Sequence, residues 1–569
     1  MRNVDRISNW IVVVLLGLLV VLCLMSMPFN APTSDEQNHL SRGYHYLVTG
    51  NLDLNVAPPL VNALSGVPLL LHEGITFPGY DTSHRTTYIN KFADEFVWVY
   101  NDAETVINGG RLAIIFLSVL LGYFVFRWAR DLGGVKAGLL ALFLYVLDPN
   151  ILAHSQLVTT DLGVACLIFV ATYFLWRFLR WRRNVDLALA GALLGMAQAA
   201  KQTALLLIPV FVLIVLIEAF LVRDVTLRGR WPWRARFSRK QWRGLAYFVC
   251  GVLVVLSLFA FLSLWASYRF EAAPLTGAEP GHATIDRLIR HPALRKAAYY
   301  VADRMWLPFP TYFRGLRWLG RYSQRGAPGF LMGEHSPQGW WYYFLVAFAI
   351  KTPIPTLVLI AAAVYWTVRR GTSGGEREYV LYVPVVAFFM ATLFSFLNVG
   401  YRHILPVLPF IFVFASKVAV WSKERYQQVA LAVLCLWLVI GTGRIHPHYL
   451  AYFNELVGGP DNGHNYLVDS NLDWGQDLKN LKTYMDQNGL QEIYLAYFGS
   501  AHTDYYSIRA KPLPMEEPDD LETRPPEIYA ISATYLQSGY LGDVEAYDWL
   551  QEYEPFAKLG YSIFLYRLP

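Results

Sequence analysis

The stretch WIVVVLLGLLVVLCLMSMPFNAPTSDEQNHL, Trp10–Leu40, decides the fold class. Its first part is an unbroken apolar run, long enough for a helix that crosses the hydrocarbon core of a bilayer, which takes roughly 20 residues. The run is too long for a signal peptide and no small-residue cleavage site follows, so we predict a retained membrane helix. Two acids and a histidine come directly after it, at Asp35, Glu36 and His39.

The whole chain shares this apolar character. It has 569 residues, of which 55% are hydrophobic and only 16% are charged, unlike a soluble protein. We find about eleven apolar runs of near-helical length bounded by charge. They are Trp10–Met27, Leu112–Phe126, Ala137–Leu147, Leu162–Leu175, Val185–Ala199, Thr203–Leu221, Leu245–Trp265, Tyr342–Trp366, Tyr379–Leu397, Ile404–Val420 and Val429–Thr442. The sequence therefore predicts a polytopic α-helical membrane protein. The four cysteines lie in these runs, which favours packing over disulfides or a zinc site.

Basic residues concentrate in alternate connections, such as WRFLRWRRN and RDVTLRGRWPWRARFSRKQWRG. The positive-inside rule places these connections on the cytoplasmic side. The first loop (28–110), the large loop (268–341) and the tail (444–569) then face outward. Residues 1–443 form the predicted transmembrane domain.

The tail changes character. QEIYLAYFG, PEIYAISATYL and YSIFLYRLP have the pattern of strands, whereas WGQDLKNLKTYMDQNG and VEAYDWLQEY have the pattern of helices. This alternation predicts a small C-terminal extracytoplasmic α/β domain.

Acids at predicted outward helix ends are the candidate catalytic groups. Asp35 and Glu36 follow the first helix, and Asp161 stands at the mouth of another, in HSQLVTTDLGVACLIF. Partial burial raises the pKa of a carboxylate and makes it a stronger base, so Asp35 is expected to be one. The alternative is that TSDE caps a short helix and that Asp161 caps its own helix.

Cations lie at the same predicted ends. Any single cation could simply extend its charged end to the membrane surface. Several cations at the same place as the acids could instead bind a phosphate through charge-assisted hydrogen bonds. The candidate phosphate- or substrate-binding residues are His39, Arg111, Lys201, Lys351, Arg402 and His403.

Two further regions bear on the site. In the tail, DSNLDWGQDL offers Asp469, Asp473, Asp477 and Trp474 for sugar binding, or else forms a turn and a helix start. In the large loop, ATIDRLIRHPALRKAAYYVADRMWL and YFRGLRWLGRYSQRG combine basic and aromatic residues at helical spacing. They are expected to lie at the membrane interface, either covering a lipid groove or simply attracted to headgroups.

The order of several motifs resembles the C-type membrane glycosyltransferases. They are DEQNHL, GYHYLVTGNLDLNVAPPLVNALSGVPLLL, TTDLGVACLIF, KQTALLLIP, GWWYYFLVAFAIKTPIPTLVL and YRHILPVLPFIFVFAS. The nearer relatives in this class look like the protein O-mannosyltransferases and bacterial aminoarabinose transferases, which use polyprenyl-phosphate sugars.

The resemblance implies an inverting transfer from such a donor to an acceptor hydroxyl on a protein, glycan or lipid. Asp35 would be the general base, Glu36 its neighbour and Asp161 an acid across the site. No cofactor is required, although the acids are compatible with a hard divalent cation. The expected location is the bacterial cytoplasmic membrane, with site and tail outward and membrane lipids, but no nucleic acid, as partners.

Two other functions stay open at this point. The chain could be a polytopic transporter or flippase of lipid-linked sugars, since ionisable groups also mark transport paths. Against this, no inverted repeat and no mid-helix charges are found. It could also be a non-catalytic membrane assembly subunit, which would tolerate loss of Asp35 and Asp161.

Overall fold

A computed structural model describes residues 2–54, 57–79, 88–221, 224–226, 236–238, 242–274, 282, 285–286, 289–370, 377–518, 527–537 and 546–568. The longest basic connection named above, 223–244, lies mostly outside these residues.

The helices that the structure describes account for most of the chain. In chain order they are α1 (Arg2–Ser26), α2 (Glu36–Thr49), α3 (Pro59–Leu70), α4 (Tyr88–Asp94), α5 (Ala103–Val146), α6 (Pro149–Ser155), α7 (Thr160–Trp181), α8 (Asn184–Ala200), α9 (Leu207–Leu221), α10 (Trp242–Ser267), α11 (Pro292–Arg304), α12 (Pro310–Arg325), α13 (Tyr343–Lys351), α14 (Ile354–Arg370), α15 (Tyr379–Thr392), α16 (Leu408–Ala415), α17 (Val418–Trp421), α18 (Arg425–Ile445), α19 (Leu478–Gln487) and α20 (Ala533–Leu536).

The described strands are short. They are β1 (Asp224–Thr226), β2 (Arg236–Ser238), β3 (Ala272–Ala273), β4 (Leu307–Pro308), β5 (Gly329–Leu331), β6 (Glu334–Ser336), β7 (Ile493–Ala496), β8 (Ala510–Pro512), β9 (Glu527–Ser532), β10 (Ala557–Leu559) and β11 (Ile563–Leu568).

The predicted fold class, a polytopic helical membrane protein with a small C-terminal sheet domain, is confirmed. Within the described ranges, seven helices are long and apolar enough to cross a membrane, and the bent pair α13–α14 would make an eighth. The number of about eleven is not confirmed. Two of the predicted runs form shorter apolar helices, α8 and α15.

Helix α5 is a hairpin. Gly134 takes φ +79° and ψ −174°, a backbone conformation that glycine adopts without a Cβ penalty. Beyond it the chain turns back on itself, since Gly138 lies against the ring of Phe126. Ser118 Oγ and the Tyr145 hydroxyl are hydrogen-bonded at 2.8 Å. The two arms therefore pack side by side in opposite directions.

A second break separates α13 from α14, which meet at 110°. Pro353 has no N–H to continue the first helix, so the last carbonyls need other partners. The side-chain amide of Asn454, in the tail, donates to the Thr352 carbonyl at 2.8 Å. That of Asn150, in α6, donates to the Lys351 carbonyl at 2.8 Å. The break is thus built into the fold.

The tail contains a five-stranded sheet in the order β10-β11-β9-β7-β8. Strand β7 is parallel to β8 and β9, and the other pairs are antiparallel. Apolar residues of α19 pack on the sheet. The three predicted strands and the first predicted tail helix are confirmed, whereas the described part of VEAYDWLQEY contains the 3-10 helix Asp548–Glu552. The domain boundary at 444 stays a prediction.

The tail packs directly onto the first loop. The backbone N–H of Ala31 donates to the Gln476 carbonyl at 2.8 Å, and that of Ser34 to the Trp474 carbonyl at 3.1 Å. These bonds bring the tail next to Asp35, which directly precedes α2.

Candidate active site

Helix geometry accounts for where the candidate groups stand. His39 and Arg42 come four and seven residues after Asp35, a spacing that stacks side chains on one face of α2. Asp161 lies in the first turn of α7, where the helix dipole favours an acid. Lys201 directly follows α8, where the dipole favours a cation.

Two ion pairs form the centre of the site. Arg402 Nη1 lies 2.8 Å from Asp35 Oδ2, and Lys201 Nζ lies 2.6 Å from Asp161 Oδ1. The pairs belong to one cluster, because the charge of Asp161 acts on Asp35 and that of Arg402 acts on both acids. The Asp35 side chain is 39% exposed and that of Asp161 only 4%. Asp35 is thus the acid that a substrate can reach.

The pKa of Asp35 differs from expectation. Burial alone would raise it, but the positive charge of the Arg402 guanidinium opposes burial, and the pKa of Asp35 lies below its ordinary value. The prediction of a raised pKa is therefore wrong, because the fold places a guanidinium directly on the carboxylate. Asp35 is ionised at neutral pH and is a weak base in this state.

His39 joins the cluster through Asn62, a residue of α3. His39 Nδ1 and Asn62 Oδ1 are 3.0 Å apart. Burial lowers the pKa of His39, although the neighbouring Asp35 opposes the shift. The histidine is therefore mostly neutral at pH 7 and able to donate or accept a hydrogen bond.

Several polar atoms around the ion pairs are buried and lack a hydrogen-bond partner among the described residues. They are Arg42 Nε, Asn62 Nδ2, Arg402 Nε and His403 Nε2. Buried polar atoms in native proteins are nearly always paired. Because most of these groups are donors, their concentration suits an acceptor-rich ligand such as a phosphate.

Glu36 and Arg111 form a separate buried ion pair. Arg111 Nε and Nη2 donate to the two oxygens of Glu36 at 2.9 and 2.7 Å. The backbone N–H groups of Thr33 and Val158 also donate to Glu36, and neither side chain of the pair is more than 1% exposed. We assign both to positioning of the first loop, in place of the catalytic and phosphate-binding roles predicted above.

Lys351, predicted to bind phosphate, instead points toward the tail. Its Nζ donates to the Leu450 carbonyl at 2.9 Å and to the Asn471 carbonyl, and it lies 4.6 Å from the centre of the Phe453 ring. It therefore links the break after α13 to the tail and does not reach the cluster.

The tail acids are mainly structural, as the alternative interpretation held. Asp473 accepts from the backbone N–H of Thr534 at 2.9 Å, and Asp477 accepts from Ser562 Oγ at 2.7 Å. Trp474 is buried, so its ring is not open to a sugar. Its ring instead lies under the Arg402 guanidinium, with Cζ 4.2 Å from the ring centre.

Sequence reasoning missed Arg42, Asn62 and Tyr322. The helical spacing of Arg42 from His39 was a usable signal. Asn62 lies in an apolar helix, and Tyr322 belongs to α12 of the large loop, where burial and the negative charge of Asp469 raise the pKa of its hydroxyl. No local pattern marks either one.

Among the described residues, no group of three or more His, Cys, Asp or Glu side chains is arranged to hold a metal ion. Lys201 and Arg402 are the closest charged partners of Asp161 and Asp35. The predicted independence from metal stays a prediction.

Part of the chain is similar to a known protein family. Residues 101–237, which include Asp161 and Lys201, match a protein-family model. The match agrees with the resemblance seen in the sequence, which is to the membrane glycosyltransferases of the C type. The family of the model is described as dolichyl-phosphate-mannose-protein mannosyltransferase. No curated protein matches the chain.

Solved structures of similar shape include ArnT from Cupriavidus metallidurans bound to undecaprenyl phosphate. It is 12% identical over 99% of this chain and 98% of its own, with a TM-score of 0.48. The Archaeoglobus fulgidus oligosaccharyltransferase in the apo form is 14% identical over 87% of this chain, with a TM-score of 0.40. This chain covers 59% of the length of that protein.

Proposed function

We propose that the enzyme transfers a sugar from a polyprenyl-phosphate donor to an acceptor hydroxyl, with inversion, on the outer face of a bacterial cytoplasmic membrane. The main support is the cluster of Asp35, Asp161, Lys201 and Arg402. Buried donors without a partner among the described residues surround it. The matched family is named for a lipid-phosphate-linked sugar, which agrees with a site of this charge.

The donor phosphate would be bound by Arg402 and His403. Their Nε and Nε2 atoms lack partners within the described part of the chain, and a phosphate oxygen accepts well from both kinds of group. Lys201, on the other side of the cluster, adds a second positive charge. Positive groups fixed around the leaving phosphate stabilise the charge that grows there during transfer.

Donor binding would also activate the base. In the resting site Arg402 holds the pKa of Asp35 low. A phosphate competes for the same guanidinium, and once the pairing weakens, burial raises the pKa of Asp35. Binding of the first substrate therefore prepares Asp35 to take a proton.

The reaction is a single displacement. The acceptor oxygen attacks the anomeric carbon as Asp35 removes its proton, the bond from that carbon to the phosphate oxygen breaks, and polyprenyl phosphate leaves with the bonding electrons. Because attack and departure occur on opposite sides of the carbon, the configuration inverts.

The polarity of helix α7 supports the outward orientation. Helix α7 begins beside Asp161 and ends in a basic segment containing Arg177, Arg180 and Arg183. By the positive-inside rule, the basic end is cytoplasmic and the site is on the opposite face.

Helix α12 would cover the donor groove. It carries Tyr322 toward the cluster and leaves Phe313 and Trp318 exposed, while Arg317 and Arg321 lie among them. This mixture of exposed rings and basic groups suits the lipid headgroup layer. The donor would then enter along α12 from the membrane.

The test is a transfer assay with purified protein in liposomes, offered undecaprenyl- and dolichyl-phosphate sugars and Ser/Thr peptides, glycans or lipids. We expect release of lipid phosphate, a product of inverted anomeric configuration, and persistence of both in excess EDTA. Movement of the intact donor across the bilayer without bond cleavage would establish the transporter alternative instead.

A further inference from the structure

The Arg402 guanidinium is held by the tail as well as by Asp35. The Trp474 ring lies against it, 4.2 Å from Cζ to the ring centre, while Nη1 bonds Asp35 on the first loop. A guanidinium on a ring face is attracted by the ring quadrupole and keeps its plane fixed. The charge of Asp469, also in the tail, acts on Arg402 as well.

The turn before Trp474 is hydrogen-bonded to the backbone on the N-terminal side of Arg402. Ser470 Oγ donates to the Val399 carbonyl at 2.6 Å, and the Tyr401 N–H donates to Asn471 Oδ1 at 2.8 Å. A Cβ on Gly400 would lie 2.2 Å from Ser470 Oγ. Only glycine permits so close an approach here.

The turn is itself rigid. Asp469 takes φ +57°, a left-handed conformation that is uncommon outside glycine and persists only where its surroundings enforce it. Asn471 Nδ2 donates to the Val468 carbonyl and to the Tyr343 hydroxyl, both at 2.9 Å. Lys351 binds the Asn471 carbonyl. Strained backbone of this kind clusters at functional sites.

We propose that residues 469–474, the tail clamp, are a positioning part of the active site and set the Arg402 guanidinium for the donor phosphate. The inference rests on the proposed function and deepens it: the tail is needed for donor recognition and is not an accessory domain for the acceptor. Trp474, Ser470 and Asn471 act through Arg402 and are positioning residues.

The first test varies Trp474. With Trp474→Leu, we expect the KM for the lipid-phosphate sugar to rise about five- to tenfold, the size of a lost cation–π contact, while the acceptor KM stays unchanged. Trp474→Phe keeps a ring face and recovers most of the loss. The matched control is Trp549→Leu, since Trp549 packs against Tyr529 and Tyr553 within the same domain. It should lower thermal stability without changing the donor KM.

The second test uses a compensating pair. Gly400→Ala forces Ser470 Oγ away from the Val399 carbonyl, which breaks one of the contacts of the tail clamp and should raise the donor KM. In Gly400→Ala/Ser470→Ala the obstructing oxygen is gone and the next atom of residue 470 is 3.4 Å away, so the donor KM should return to that of Ser470→Ala alone. Recovery by a second substitution is not expected of a variant that simply misfolds.

The outcomes separate the two proposals. If the wild-type protein transfers sugar but Trp474→Leu and Gly400→Ala keep the wild-type donor KM, the tail clamp is refuted and the proposed function stands. If both variants lower kcat with unchanged KM for donor and acceptor, the tail has only a structural role and the inference also fails. If the wild-type protein neither transfers sugar nor binds undecaprenyl phosphate, the proposed function is refuted, and so is the inference, which depends on it.

Discussion

Arg402 and Asp35 stand 367 positions apart in the chain, yet their side chains meet at 2.8 Å. The contact joins the turn after α15 to the first loop, two parts of the chain that no local pattern connects. It sets the protonation of the exposed acid and places the guanidinium where a phosphate can reach it.

Removing Arg402 should shift the pH dependence of the reaction. In the wild type the pKa of Asp35 lies below its ordinary value. Protonation of Asp35 should therefore lower kcat/KM only at a pH below the range in which an ordinary aspartate titrates. In Arg402→Gln the positive charge that opposes burial is gone, so the pKa of Asp35 rises. The acid limb of the pH profile, where kcat/KM falls on acidification, should then move to higher pH. The measurement is the pH profile of residual kcat/KM.

Lys201→Gln is the control for that shift. Lys201 pairs with Asp161, whose charge affects the pKa of Asp35 less than that of Arg402 does. This variant should lose activity but keep the acid limb where it is. A limb that moves equally in both variants would contradict the assignment to Asp35.

Glu36 should matter for stability and not for chemistry. Glu36→Gln leaves Arg111 charged and unpaired at a site with 1% exposure, which costs about 3–5 kcal/mol of folding free energy. We expect a lower yield and melting temperature, with near wild-type kcat per folded molecule. Active-site titration of the folded fraction checks this, and a specific loss of kcat would restore a catalytic role to Glu36.

The Lys201–Asp161 pair should show strong coupling. Lys201→Met alone leaves Asp161 buried without its partner, whereas Lys201→Met/Asp161→Asn removes both charges. The double variant should therefore be more stable than Lys201→Met in thermal unfolding, although neither transfers sugar at the wild-type rate. Additive losses of stability would show that the two groups do not interact.

The stability of the tail should fall as pH rises. Burial raises the pKa of Asp473 to about 7, above its unfolded value of about 3.9. The neutral carboxyl thus contributes stability that is complete below about pH 4 and is lost as pH rises through 7. Thermal unfolding of the wild type should show this slope between pH 5 and 8.

Asp473→Asn should remove that slope, because the amide stays neutral at every pH. Asp486→Asn is the matched control, since the Asp486 side chain is 61% exposed and should leave the slope as in the wild type. The same slope in all three proteins would assign the pH dependence to another group.

The sequence was informative where helix ends carry the chemistry. Asp35, Asp161, Lys201 and Arg402 were all predicted at one face, because hydropathy locates helix ends and the fold brings those ends together. The sequence does not show where the Glu36 side chain points. Consecutive residues at a helix start point about 100° apart, and the neighbour of Asp35 faces the packed interior.

Lys351 and Trp474 mark the other limit of sequence reasoning. A lysine at a helix end has the same local pattern whether it faces a phosphate or, as here, two carbonyls of the tail. The ring of Trp474 lies against a residue about seventy positions away, and such pairing is set by tertiary packing alone.

The most direct test of the central claim is the single-turnover rate of Asp35→Asn with bound polyprenyl-phosphate sugar. Asparagine keeps the shape of the side chain and cannot take the proton. We predict a rate at least about a hundredfold below that of the wild type, with donor affinity retained. Asp53→Asn, in the same loop but bonded to Asn51, should react at the wild-type rate. A wild-type rate for Asp35→Asn would contradict the assignment of Asp35 as the base.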